Sequence, residues 1–253
     1  MSTLDEWRTL CDRLHAKGAA IFDAADPGAL DADPRDPPVV ALTLLARALG
    51  HHRAAMRLLD EGFIVEARTL VRCVNEVFFF AAALARQGAA FVDALEQDAI
   101  GSRRRRAKGL LDWSKTRTET PDHLLELEAL RDRLWSDHGP TASLQMTKVA
   151  EAGGVEAGLI LYRELSTDAA HPSAASLSRN VSINEEATAF TLHALPLVDE
   201  DEPAETLELL CSSVLSVLVA VKEIVGGVDG GERLDVLAEG LKALGSLDPR
   251  RRE

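Results

Sequence analysis

The chain has 253 residues, 46% of them hydrophobic but only 4% aromatic, and a formal net charge of −13. That length is ample to bury a core, and an alanine- and leucine-rich composition favours helix over sheet. The acidic balance excludes a general nucleic-acid binder, which needs clustered cations, while leaving room for a local basic site.

Residues 3–24 form an amphipathic helix, with Leu4, Trp7, Leu10, Cys11, Leu14 and Ile21 recurring at helical spacing. The segment DPGALDADPRDPP breaks it. Pro38 opens a second helix that ends near Gly62, and the next follows after almost no linker, so the two pack as an antiparallel hairpin. That next stretch, Leu58 to Gln87, is the one around which the rest is organised. Arg68, Arg72, Asn75 and Glu76 share one arc of its surface, and the same arc turns apolar further on, at Phe79 and Ala83. A face carrying two arginines and then aromatic and aliphatic groups is unusual for a helix open to water.

Beyond Gly88 the spacing predicts a helix interrupted near Gly101 and Gly109. Thr120-Pro121 then supplies an N-cap and first-turn proline for a helix to about Asp137, stopped by Gly139-Pro140. Shorter helices follow over Ser143–Ala152 and Val155–Thr167. Residues 178–202 alternate, and read as an irregular excursion or a short strand pair. Pro203 opens a strongly apolar helix to Val225, and Glu232–Leu244 form the last. The fold class is all-α, a bundle of seven to nine helices in one domain over 1–253.

The three cysteines, Cys11, Cys73 and Cys211, are widely spaced with no CxxC pair, so neither a disulfide framework nor a zinc site is indicated. The start, MSTLDEWRTLCDRL, carries acids and lacks a signal-peptide core. The longest apolar run, Val214 to Val221, falls short of the ~20 residues a membrane helix needs. A cytoplasmic protein with no membrane partner is expected. No HExxH, GxSxG or Walker loop is present, and the neighbours His51 and His52 diverge by ~100° on a helix. No metal and no cofactor are expected.

Two constellations carry possible chemistry. In Arg68-xxx-Arg72-xxx-Glu76, a spacing of four allows an Arg72–Glu76 ion pair with Arg68 one turn earlier. It is either a solvated helix face or a guanidinium site for phosphate or carboxylate. The second is Tyr162-xxx-Ser166-xxxx-His171-Pro172-Ser173. Tyr162 and Ser166 lie one turn apart, and His171 sits past the helix end because a residue before proline leaves the helical region. An imidazole there beside a phenol and a hydroxyl suits proton transfer. The plainer reading has Ser173 capping a short helix while His171 satisfies a carbonyl. The run Arg103-Arg104-Arg105-Arg106-Ala107-Lys108 either grips an RNA backbone or is a solvated helix face.

LLDEGFIVEARTLVRCVNEVFFFAAAL, followed by YRELSTDAAHPSAASL, resembles the domain of unknown function 5677 family of bacterial proteins. The family's EA-x-x-L-x-R-x-x-x-E matches Glu66-Ala67, Leu70, Arg72 and Glu76, and its Y-x-x-L-S-x-x-x-x-H-P-S matches Tyr162, Leu165, Ser166, His171, Pro172 and Ser173. The resemblance spans roughly residues 40 to 180 and implies a shared site more than a named reaction. A weaker similarity is to HEPN helical bundles, many of them metal-independent ribonucleases with an R-x(4–6)-H motif. Such pairs occur at Arg8/His15, Arg47/His52, Arg117/His123 and Arg133/His138, but His171 has no arginine at those offsets.

The functional expectation is a pocket built from both segments. In one version it is a ribonuclease of a toxin or phage-defence system. His171 is then the general acid/base, Arg68 or Arg72 stabilises phosphorane charge, Glu76 orients an arginine and Tyr162 holds substrate, with Ser166, Ser173 and Asn75 as further binding groups. In the other the polar cluster is structural, and the bundle binds a protein partner or a small anion. RNA or another anionic ligand, an antitoxin-like protein and a second copy of the chain are the partners considered.

Overall fold

A computed structural model describes residues 3–25, 33–114, 123–138, 143–184, 189–227 and 230–246. Its centre is the helix α3, Ile64–Gln87, with half of its 24 residues buried. Phe79 and Ala83, where the polar arc turns apolar, are fully buried, so that arc faces the interior. Around α3 pack α2 (Pro37–Asp60), α9 (Glu202–Ile224), α6 (Met146–Gly153) and α7 (Gly158–Leu165). The helix α1 (Thr3–Ala24) lies on α9 and α2, and α10 (Leu234–Ser246) lies on α1 and α9. One continuous apolar cluster joins α1, α2, α3, α6, α7, α9 and α10.

The α2–α3 hairpin closes at Gly62, which holds φ +82°, a conformation that costs glycine little. The short helices α6 and α7 come unusually near α3. A Cβ on Gly153 would stand 2.9 Å from Ala82 Cβ, and one on Gly158 would stand 2.7 Å from the Phe79 ring. Two residues without side chains thereby let distant chain segments press against the central helix.

The expected break in the fourth helix does not occur. The helix α4 runs unbroken from Ala89 to Ser114, packed at its far end against α5 (His123–His138). Each interior glycine costs only about 1 kcal/mol against alanine, and good helix formers on both sides outweigh that. The proposed cap at Thr120-Pro121 and stop at Gly139-Pro140 lie outside the described residues. The expected helix to Thr167 ends as α helix at Leu165. One wide π turn follows, Ser166–Ala170, and then the five-residue α8, Ala174–Ser178. That extra helix brings the count to ten α-helices among the described residues.

The alternating stretch forms an antiparallel pair, β1 (Val181–Ile183) with β2 (Phe190–Leu192). The fold class is therefore all-α with a small β excursion. Unlike the apolar run within it, the whole of α9 is long and apolar enough to cross a membrane. Scattered serines interrupt the run without lowering the helix's hydropathy below that of a spanning segment. In this fold α9 passes through the middle of the bundle, and eleven of its residues are buried against other helices, the usual situation of a core helix.

Candidate functional site

The two distant segments do meet. Arg72 on α3 donates from Nε to Ser166 Oγ at 2.6 Å and from a terminal nitrogen to the Tyr162 hydroxyl at 2.7 Å. Its guanidinium carbon lies 4.7 Å from the centre of the Tyr162 ring, within cation–π range. The same guanidinium pairs with Glu76 at 3.0 Å, one turn along the helix. The Ser166 hydroxyl in turn donates to the Tyr162 carbonyl at 2.7 Å. The Tyr162 ring stands edge-on to Phe79, 5.9 Å between centroids, so its position is fixed by the core.

One turn earlier, Arg68 is almost wholly buried, with only 5% of its side chain exposed. Its Nε lies 2.8 Å from Asp168 Oδ2. The N–H is not aimed at that oxygen, so the contact is an ion pair without a hydrogen bond. A terminal nitrogen donates to Glu205 on α9 at 3.1 Å. Asp168 sits in the π turn and receives a second guanidinium, Arg179 Nε at 2.7 Å. Arg179 in turn donates to both oxygens of Glu202, each at 2.9 Å. Burial lowers the Arg179 pKa, but the hydrogen bonds it donates to Asp168 and Glu202 more than reverse this and leave it above its ordinary value. Neither Asp168 nor Arg179, Glu202 or Glu205 is picked out by sequence spacing. The only available signal is that a buried arginine demands a carboxylate from somewhere.

The charges close on themselves. Arg68, Arg72 and Arg179 supply three positive charges, and Glu76, Asp168, Glu202 and Glu205 supply four negative ones, an excess of one carboxylate. Among the described residues, each of these three guanidiniums is paired with at least one carboxylate.

Among the described residues, the remaining expected site residues make no hydrogen bond or ion pair to this cluster. His171 is exposed, and among the described residues its ring makes no hydrogen bond or ion pair; its carbonyl accepts from Ser173 N and from Ser176 Oγ, each at 2.7 Å. Its backbone is extended, as the following proline requires. Ser173 caps α8, accepting from Ser176 N at 3.1 Å, and donates to the Thr167 carbonyl at 2.6 Å. Asn75 is buried, and its Oδ1 has no partner among the described residues. The imidazole that feels Glu76 is His51 on α2, where burial and then Arg47 lower the pKa and Glu76 partly restores it. In the basic run, Arg103, Arg105, Arg106 and Lys108 are exposed on α4, while Arg104 is buried and lies 5.0 Å from the Trp135 ring centre. Among the described residues no group of three metal-ligating side chains converges.

A family model described as a family of unknown function (DUF5677) matches residues 39–188, more than half of the sequence. The chain belongs to the DUF5677 family. No curated protein and no solved structure matches it, and nothing in the comparisons supports a likeness to HEPN bundles. The DUF5677 segment contains Arg68, Arg72, Glu76, Tyr162, Ser166, Asp168 and Arg179. Glu202, Glu205 and the second strand come from beyond it.

Proposed function

We propose that this DUF5677 protein is a non-catalytic binding module, in which the arginine network clamps the β-hairpin so that one hairpin face is offered to a partner protein. The supporting observation is the exposure of that face. In an antiparallel pair, directly opposed residues point to the same side and alternate along each strand. Val181 opposite Leu192 and Ile183 opposite Phe190 therefore form one face, with Ser182 and Thr191 on the other. Ile183, Phe190 and Leu192 are each about two-thirds exposed, at 66%, 68% and 71%, and Leu195 nearby is 68% exposed. Apolar side chains clustered on a short, open-edged sheet suit strand addition by an extended partner.

The hairpin is held rigidly at its base. Leu197 N donates to the Arg179 carbonyl at 2.6 Å, Arg179 donates back to the Leu197 carbonyl at 3.2 Å, and Asn180 and His193 exchange two bonds of 2.9 Å. Arg179 is thus the joint between the buried ion pairs and the exposed strands. From Asn180 to Asp201 the sequence holds no lysine or arginine and five acids, Glu185, Glu186, Asp199, Glu200 and Asp201. Charge complementarity selects a partner segment that is apolar and cationic, and opposes pairing of two copies through this face.

The test is fluorescence anisotropy with an extended peptide alternating valine and lysine, beside its valine–glutamate counterpart. The expected result is binding of the lysine peptide alone, lost in Phe190→Ser/Leu192→Ser at unchanged melting temperature. Failure to bind it overturns the reading. So does RNA cleavage in the presence of chelator that is abolished by His171→Ala.

A further inference from the structure

The function proposed above makes no use of two groups placed with care. Cys11 on α1 and Cys211 on α9 are 200 residues apart in sequence, both fully buried, and their Sγ atoms are 2.9 Å from each other. The placement is reciprocal across the helix pair. Cys11 Sγ reaches the Leu207 carbonyl at 3.8 Å, and Cys211 Sγ reaches the Trp7 carbonyl at 4.0 Å. Apolar neighbours, Trp7, Leu10, Leu207 and Leu210, are buried with them in the same cluster. The third cysteine, Cys73, lies on the face of α3 next to Arg72 and Glu76 and is only half-buried. Both members of the pair fall outside the family segment, in the flanks that close over it.

We propose that Cys11 and Cys211 form an intramolecular disulfide in the presence of a disulfide oxidant of the glutathione class, stapling α1 to α9. The inference is independent of the partner-binding reading. One cysteine thiolate attacks the oxidant's sulfur–sulfur bond, giving a mixed disulfide and releasing one glutathione thiolate. The second cysteine thiolate then displaces the other glutathione. Two electrons pass from the cysteines to the oxidant, and the two thiol protons end on two glutathione molecules.

Burial, followed by the contact with Cys11, raises the Cys211 pKa well above its ordinary value. Cys211 is therefore held as the thiol in the folded chain, and burial closes both sulfurs off from an oxidant in solution, so the bridge forms while the chain is folding or transiently open. Once formed, it shields itself from reductant in the same way. The loop it closes spans 200 residues, so the restraint on the unfolded chain is near the top of the usual range.

The experiment is refolding of the full chain from urea in a reduced/oxidised glutathione buffer, followed by peptide mapping without reductant. Every thiol is then accessible, so burial cannot mask the outcome. The expected product is about 2 Da lighter than the reduced chain, with a single Cys11–Cys211 link. It melts roughly 10 °C above the reduced protein, a gain reversed by dithiothreitol. Cys73→Ala should behave identically, whereas Cys211→Ala should show neither link nor oxidant-dependent shift. Links to Cys73, glutathione adducts alone, or a Cys11–Cys211 bridge that leaves the melting temperature unmoved each overturn the proposal.

Discussion

Replacing Asp168 by alanine probes the network where two guanidiniums share one carboxylate. Asp168 lies between Arg68 at 2.8 Å and Arg179 at 2.7 Å, with side-chain exposures of 5% and 15% for the two arginines. Removing one partner of a buried ion pair costs about 3–5 kcal/mol, because the charge left behind is desolvated and uncompensated. Here each arginine keeps a second carboxylate, Glu205 for Arg68 and Glu202 for Arg179. That moderates the expected loss to roughly 2–3 kcal/mol, or about 5–10 °C in melting temperature for a chain of this size. Asp93→Ala is the matched control. Asp93 pairs with Arg35 at 3.3 Å, but the two side chains are 70% and 56% exposed. Such a pair contributes between 0 and about 1 kcal/mol. Urea denaturation followed by circular dichroism measures both variants. The deficit of Asp168→Ala should persist in 1 M salt, where the screening length is about 3 Å, since the network excludes solvent. A deficit no larger than that of Asp93→Ala would refute the assignment of the network as a buried clamp.

Burial, aided by the nearby His15 and Arg53, lowers the His52 pKa to about 4, with the backbone of Cys11 partly opposing this. The unfolded chain then binds more protons than the folded one between pH 6.5 and 4, so stability present above 6.5 drains away as pH falls, by about 3 kcal/mol. His52→Gln should flatten that part of the stability profile in pH-dependent urea melts. Gly153→Ala should destabilise by about 1–3 kcal/mol, because the new methyl meets Ala82 Cβ at 2.9 Å and Ala83 N at 3.0 Å. Gly50→Ala, in mid-helix with nothing within 4 Å of the added carbon, should stabilise by up to about 1 kcal/mol; thermal melts of the two variants should move in opposite directions. Phe190→Ser/Leu192→Ser should stay within about 0.5 kcal/mol of the parent in urea, since both side chains are already in water.

Helical periodicity located the central helix and its polar arc because 3.6-residue spacing is a local property. The Arg72–Glu76 pair, four residues apart, was legible for the same reason. The meeting of Arg72 with Tyr162 and Ser166 came from the family's two motifs, which spacing alone does not join. Asp168 and Glu205 remained hidden, since their partner Arg68 is 100 or more residues away and no local pattern encodes that distance. His171 shows a different limit of local pattern. A histidine before a proline at a helix end reads as poised chemistry, and its ring is exposed with no hydrogen bond or ion pair among the described residues, while the imidazole whose pKa Glu76 influences is His51, on a different helix. The unbroken α4 shows that two glycines weigh less than the helix formers around them.

The wide turn over Ser166–Ala170 accommodates an additional residue relative to ordinary α geometry. Shortening the chain by a single amino acid there would draw the turn into ordinary α geometry, and the side chains after the deletion, as far as Ala170, would swing about the helix axis by roughly 100° while the segment beyond was pulled along with them. Asp168 and Arg179 would then face new directions even though neither had been changed. In this stretch, chain length is as stringent a constraint as residue identity, and gaps in aligned relatives should avoid it.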